Sequence, residues 1–323
     1  MKAVIVGCGL IAARWIRALA ADPRVTITAL ADPDQQAAAR AARAGGLTGV
    51  PWFPDLDAAL AAAGAGIAVN LTPAAVHVEC TRAALARGLH VLTEKPLALS
   101  LDHARELTVL ARSAGLTLAV MSNRGHDARL LAFARLARGL GPGPYAVSED
   151  MLVHLPSPGF RSRMPFPAIT DLAVHAFDQV RQIIEAPPAE ITCAEVPLAL
   201  PGGHCSIATA TVTFADRSVF TLRCGFTGPG HQTSNDGHWR IDMPDAWCRW
   251  DGHGTVTIAA ADPGRPPVTR DLPEPDGHGP RITAMIDAVH GGPPLPDGLR
   301  SIALLDAALQ SAAARRPAPV PPA

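Results

Sequence analysis

The sequence predicts a doubly wound α/β parallel sheet over residues 1–122, followed over residues 123–323 by an α+β domain with a largely antiparallel open sheet. Three observations carry that expectation. A β-branched strand at residues 2–6 runs directly into a glycine turn and a helical pattern. From there to Met121, strand-length apolar runs alternate with single helical patterns, the arrangement that gives a parallel sheet with helices on both faces. After Asn123-Arg124 the alternation stops, and strand-like runs then follow one another as in an antiparallel sheet. A chain of 323 residues is long enough for two domains of ordinary size.

The first turn reads Gly7-Cys8-Gly9-Leu10-Ile11-Ala12, a G-x-G-x-x-A spacing. Gly7 permits the tight turn, Gly9 lets backbone approach a pyrophosphate, and Ala12 is small enough for helix to pack closely on strand. The pyrophosphate would rest where Leu10 and Ile11 open the helix, against unpaired N–H groups and the positive end of the dipole. A glycine-rich turn that binds nothing is the competing reading. Its place between the first strand and a helix favours a dinucleotide, and with it a Rossmann domain. The second strand, residues 25–31, ends at Asp32, about 20 residues beyond the glycines, where a carboxylate accepts hydrogen bonds from the adenosine ribose. Its charge repels a 2′-phosphate, so NAD is expected and NADP disfavoured, with Arg40 and Arg43 on the next helix as the residues able to shift that balance.

The alternation continues with a helix at 35–44, a short segment around Trp52, a helix at 56–63, a strand at 67–71, a helix at 75–87 and a strand at 90–93. A helix at 101–114 and a strand at 116–121 complete it. Thr72-Pro73 follows its strand directly and His77 falls in the next helix's first turn, so this loop is expected on the cofactor side. The strand at 90–93 ends in Glu94-Lys95-Pro96. Proline pushes Lys95 out of the helical region, so the lysine leaves the sheet edge in a direction set by the backbone, in the crevice where ligands of such sheets sit. Whether the Lys95-Pro96 bond is cis is left open by sequence.

In the second half a helix is expected at 128–138, a Gly/Pro loop at 139–144 and a strand at 145–155. A helix bracketed by Pro167 and Pro187 precedes strand-like runs at 191–198, 206–214, 218–224, 239–243 and 255–259. The Pro/Gly-rich span 261–280 leads to helices at 282–289 and 299–314, free to pack back on the first domain, and 317–323 reads as a loose tail. The helix after Pro167 carries Asp171, His175, Asp178 and Gln182 within roughly 60° of arc. An amphipathic surface helix explains that stripe, with Asp178 structural. An Asp one turn before a His is also the pairing that orients an imidazole and tunes its basicity. The same pair could ligate zinc, but no third ligand has a diagnostic spacing, so no metal is expected.

Other function classes are disfavoured. Lys plus Arg number 28 and Asp plus Glu 29, so no net field recruits nucleic acid or an anionic membrane. Six cysteines without C-x-x-C spacing suit neither zinc nor a disulfide framework, and point to a reducing, cytoplasmic setting. The N-terminal apolar run imitates a secretory signal but is broken by Gly7 and Gly9 and followed by Arg14 and Arg17. No apolar run reaches the roughly 18 residues of a membrane span, and no G-x-S-x-G elbow marks a serine hydrolase.

Taken together, the glycine turn, Asp32, Thr72-Pro73 with His77, Glu94-Lys95-Pro96 and Asp171-x-x-x-His175-x-x-Asp178, in this order over nearly the whole length, resemble the Gfo/Idh/MocA oxidoreductases. Trp239-Arg240-Ile241 and Trp250-Asp251-Gly252 are similar to strands of that family's substrate domain. The resemblance implies a catalytic trio of Lys95, Asp171 and His175, with Glu94 near the nicotinamide ribose. It places Asn123, Arg124 and His154 on the substrate side, Asn123 also touching the cofactor. It implies reversible hydride transfer between nicotinamide and a carbinol carbon of a sugar, polyol or inositol-like alcohol. Redox-neutral elimination or glycoside hydrolysis on the same fold, or a non-catalytic cofactor sensor, are the alternatives. The family often has paired glycines ahead of the aspartate, where this chain has Arg161-Ser162-Arg163-Met164, which bears on the substrate more than the reaction. An open sheet face in the second half suits a homodimer or homotetramer.

Overall fold

The computed structural model describes residues 1–323 except 63, 155–160, 162–163, 201–202, 231, 261, 263, 276 and 297. The chain forms two units, Met1–Asn123 with Gly277–Leu299, and Arg124–Asp276 with Arg300–Ala323.

In the first unit six strands, β1 (Lys2–Val6), β2 (Thr26–Ala31), β3 (Trp52–Phe53), β4 (Ile67–Asn70), β5 (His90–Thr93) and β6 (Leu118–Val120), form one sheet in the order β3-β2-β1-β4-β5-β6. Every pairing in it is parallel. The order reverses between β1 and β4, and a crevice opens at such a switch point beyond the carboxyl ends of the strands. The connections are helices α1 (Ala12–Ala20), α2 (Gln35–Gly45), α3 (Leu56–Ala62), α4 (His77–Ala86) and α5 (Leu101–Ser113). Asp34 and Ser100 cap α2 and α5 by accepting from Gln36 N–H and His103 N–H. The apolar stripe of α1, Trp15, Ile16 and Leu19, is wholly buried. Each such side chain contributes on the order of 2 kcal/mol. Chain from far downstream joins this core: α8 (Gly279–Val289) adds Ile282, Met285 and Ile286.

The second unit contains α6 (Ala128–Leu140), α7 (Val174–Ile183) and α9 (Leu299–Ala314) with nine strands. These are β7 (Ala146–His154), β8 (Pro188–Leu200), β9 (Gly203–Phe214), β10 (Val219–Thr227), β11 (His238–Asp242), β12 (Ala246–Trp250), β13 (Thr255–Ala260), β14 (Val268–Asp271) and β15 (Ala318–Pro319). Their order is β14-β13-β12-β11-β7-β10-β9-β8-β15, antiparallel except where β7 runs parallel to β10. One face alternates into a core containing Phe220, Trp239 and Trp250, with Phe133 of α6 5.3 Å from Trp250 and the Phe220 ring stacked 5.8 Å from Trp239.

Three expectations are corrected here. The tail is tied down: Ala318 pairs with Ile191, Val320 N–H bonds Ala189 O, and both side chains are buried. β14 lies in the span read as a connection, a short edge strand of exposed residues that carries no apolar alternation. The helix after Pro167 begins as a π-turn, Ala168–Ala173, before α7, and α7 is not a surface helix, since His175, Asp178 and Gln179 are buried. The turn widens the spacing between Asp171 and His175, so an arc computed at 3.6 residues per turn does not describe them. Of the expected strand at 145–155, residue 155 lies outside the described residues, as does residue 63 of the expected helix at 56–63.

Candidate functional site

The first unit builds a cradle at the end of β1. Gly7 has φ +89°, and a Cβ there would stand 2.8 Å from Leu71 C and Thr72 N, so only glycine lets this turn press on the end of β4. A Cβ on Gly9, by contrast, would meet no protein atom within 4 Å, so the turn is open on that side. Ile11 precedes α1 without a side-chain cap, and no acidic residue occupies the first turn. Uncapped donors and the dipole therefore favour an anion there. Leu10 beside them is 97% exposed. Asp32 reaches back across the turn: Oδ2 accepts from Cys8 N–H at 2.7 Å and Oδ1 from Asp34 N–H at 2.8 Å. A carboxylate oxygen accepts more than one bond, so a ribose hydroxyl pair can share this group. Open space at Gly9, an uncapped helix start and a fixed carboxylate fit a dinucleotide. Burial first and Asp32 second push the Cys8 thiol up to about 12, which disfavours the thiolate a nucleophile needs.

The loops after β4 and β5 are braced together. Thr72 donates Oγ1–H to Asn70 Oδ1 at 2.6 Å, with Pro73 exposed next to it. His77 is 1% exposed, its Nδ1 2.6 Å from Pro96 O and its Nε2 2.6 Å from Thr72 O. The ring therefore lies between two loop carbonyls and is closed off from solvent. Burial pushes its pKa down, against the two carbonyls that favour added protons. Lys95-Pro96 is cis. Glu94 is gripped on both oxygens, Oε1 accepting from Trp15 Nε1–H at 2.6 Å and Oε2 from Lys95 N–H at 3.3 Å. Lys95 is half-buried at the carboxyl end of β5, and Asn123 lies in the turn after β6.

In the second unit, Asp171 sits in the π-turn and His175, 8% exposed, in the first turn of α7. Glu195 of β8 caps the π-turn, Oε1 accepting from Ala168 N–H at 3.2 Å and Oε2 from Ile169 N–H at 2.9 Å. Phe166 enters the turn at φ +50°, strained for a bulky residue and a feature that clusters at functional sites. Asp171 accepts from Arg161 Nε–H at 2.5 Å. Asp178 belongs to a buried network, accepting from Ser301 Oγ–H at 2.8 Å and Arg181 Nη1–H at 3.3 Å. Arg124 is half-buried and donates to Asn235 O at 2.5 Å, while Glu149, Asp236 and Asp171 attract its charge. His154 ends β7 with Nδ1 3.0 Å from Thr227 O. Trp15, Arg161 and Glu195 were missed as site residues: Trp15 reads as core, Glu195 as one polar position of a strand, and Arg161 only as a break in a family pattern. Among the described residues no group of three His, Cys, Asp or Glu side chains could hold a metal.

A parallel sheet with its switch point at β1, an open glycine turn and an acid closing β2 define a dinucleotide-binding domain of the Rossmann class. Residues 1–122 match the Gfo/Idh/MocA model, "Oxidoreductase family, NAD-binding Rossmann fold", which makes the first domain an NAD-binding Rossmann domain of the kind found in those oxidoreductases. A 1,5-anhydro-D-fructose reductase from Ensifer adhaerens is 32% identical over 203 residues, 58% of this chain and 57% of that protein. The chain thus spans little more than half the length of that relative. A myo-inositol dehydrogenase from Streptomyces leeuwenhoekii is 29% identical over 234 residues, 70% of each. The fold is also that of an oxidoreductase from Agrobacterium radiobacter solved in complex with NAD+, L-tartaric acid and magnesium, with TM-score 0.81, 20% identity, and coverage of 99% of this chain and 98% of that one.

Proposed function

We propose that this chain is an NAD-dependent dehydrogenase or reductase acting on a CH–OH carbon of a sugar, polyol or inositol-like alcohol. The observation that carries the reading is Lys95 at the carboxyl end of β5, two strands from the β1 turn that fits the dinucleotide. Two strand spacings are roughly 10 Å, within reach of the cofactor's nicotinamide half. When bound, the cofactor accepts or donates the hydride at nicotinamide C4. Lys95 polarises the substrate oxygen and stabilises the negative charge that develops on it. His175 takes the hydroxyl proton and returns it in the reverse direction, with Asp171 as the carboxylate of the acid-base pair. Glu94 lies toward the nicotinamide ribose, and Asn123, Arg124 and His154 toward the substrate. Asp32 favours NAD over NADP. The relatives' names support a sugar or inositol-like substrate.

The outer face of the second sheet supports a homodimer or homotetramer. It carries Ser148, Thr209 and Thr211 around the Arg223–Asp150 pair in a groove of about 410 Å³. Balanced charge argues against nucleic acid as a partner and, with no helix of the described residues long and apolar enough to cross a membrane, bilayer insertion is not invoked. Five unpaired cysteines among the described residues support a reducing, cytoplasmic setting.

The test is a panel of sugars, inositols and amino-sugar ketones assayed with NAD and with NADP, repeated with Lys95→Ala. Nicotinamide reduction by one alcohol class is expected, abolished in Lys95→Ala while NAD binding persists. Surviving turnover with lost NAD binding would overturn the assignment.

A further inference from the structure

We infer that Arg161 is a positioning residue for Asp171, its guanidinium fixing the pose of the carboxylate on which the proposed acid-base pair depends. This rests on the reading of Asp171 and His175 given above. Arg161 Nε lies 2.5 Å from Asp171 Oδ2, and the two side chains are 23% and 15% exposed. The guanidinium carbon stands 5.9 Å from the ring centroid of Phe226, which is itself buried near the end of β10. Charge-assisted bonds of this length are among the stronger ones, and an aromatic face holds a planar guanidinium where it would not hold a hydrated ammonium as well.

The backbone beneath the aspartate is also secured. Glu195 caps the first two N–H groups of the π-turn, and Cys224 Sγ contacts Ala168 O at 3.6 Å. The turn is thereby fixed from β8 and β10, and the torsions that remain to Asp171 are those of its side chain. Arg161 constrains them by holding Oδ2, which also orients Oδ1. An ion pair exposed to water contributes little. This one is largely out of water, so removing its cation takes a charge-assisted bond from Oδ2 and lets the carboxylate shift from its pose. Arg124, whose charge Asp171 attracts, is another cation in the same unit. A carboxylate displaced by an ångström weakens the chemical step by up to about a hundredfold, with no necessary effect on substrate affinity. That separates positioning from mere packing.

The experiment is a cycle of R161M, R161K, D171N and the R161M/D171N double variant, with kcat and KM for the best alcohol and the melting temperature of each. R161M is expected to lower kcat about ten- to a hundredfold while KM changes less than threefold. R161K, which restores the charge, recovers at least a few-fold of that loss. In the D171N background R161M costs less than a further twofold, because there is no carboxylate left to position. Losses that multiply in the double variant, or an R161M defect that follows melting temperature in both backgrounds, would overturn the assignment. A wild-type chain that reduces nicotinamide with no alcohol would instead overturn the underlying reading of the pair, and this assignment with it. The two failures are distinguished by the wild type alone.

Discussion

Trp15 donates its indole N–H to Glu94 Oε1 across 2.6 Å, joining the helix that follows the glycine turn to the strand end that carries Lys95. Trp15 is wholly buried and Glu94 half-buried, so the bond is partly shielded from water. Trp15→Phe keeps most of the bulk and deletes the donor, taking a hydrogen bond from a part-buried carboxylate at about 1–3 kcal/mol. We expect melting to fall by about 2–4 °C per kcal/mol lost and NAD to bind several-fold more weakly, as read by calorimetric titration. Unchanged affinity and melting together would show that the bond couples nothing.

Asp32 holds two jobs that a single substitution separates. On the proposed reading its charge selects against a 2′-phosphate, and its Oδ2 accepts from Cys8 N–H at 2.7 Å. Asp32→Asn keeps an acceptor for the turn and removes the charge. The ratio of kcat/KM for NADP over NAD is expected to rise at least tenfold with melting nearly unchanged, whereas Asp32→Ala should shift the ratio and lower melting. If Asp32→Asn left the ratio where it was, the carboxylate would have no part in choosing the cofactor.

Gly125 touches the Asp178 network. A Cβ on Gly125 would come within 1.9 Å of Asp178 Oδ2 and 2.6 Å of Cγ, so any side chain there must push the carboxylate off Ser301. Gly125→Ala is expected to destabilise by about 1–3 kcal/mol. Asp178→Ala removes the obstruction, so the second substitution should cost much less in that background. Chemical denaturation of the four chains measures the coupling, and simple additivity would show that the contact is relieved some other way.

The first unit was legible because its rules are local. A strand, a turn of defined glycine spacing and a helix specify a βα unit within 20 residues of chain, and repetition of that unit specifies a parallel sheet. What sequence did not show depends on contacts between distant residues or on departures from regular geometry. The Asp32 to Cys8 bond spans 24 positions and the Trp15 to Glu94 bond spans 79, and neither leaves a periodic trace. His77 reads as a loop-side polar residue until Thr72 O and Pro96 O close around it. The π-turn defeats an arc drawn at 3.6 residues per turn, and a two-residue strand such as Ala318–Pro319 is too short to show an alternation.

Glu149 supplies a prediction in pH. It is 2% exposed on β7, and neither carboxyl oxygen has a hydrogen-bond partner among the described residues. Burial raises its pKa well above the ordinary range, and Asp236 and Asp150 add to that against the pull of Arg124. Below the unfolded value of about 4.3, folded and unfolded chains both carry the proton and the residue costs nothing. As pH rises through that value the unfolded chain releases its proton while the folded chain keeps it, so stability falls until the folded pKa is reached. Glu149→Gln cannot ionise and escapes this penalty. The difference in melting temperature, Glu149→Gln minus wild type, should therefore grow from pH 5 to pH 8, whatever fixed offset the amide introduces. A difference that stays flat over that interval would mean that the carboxyl ionises as readily in the folded chain as in the unfolded one.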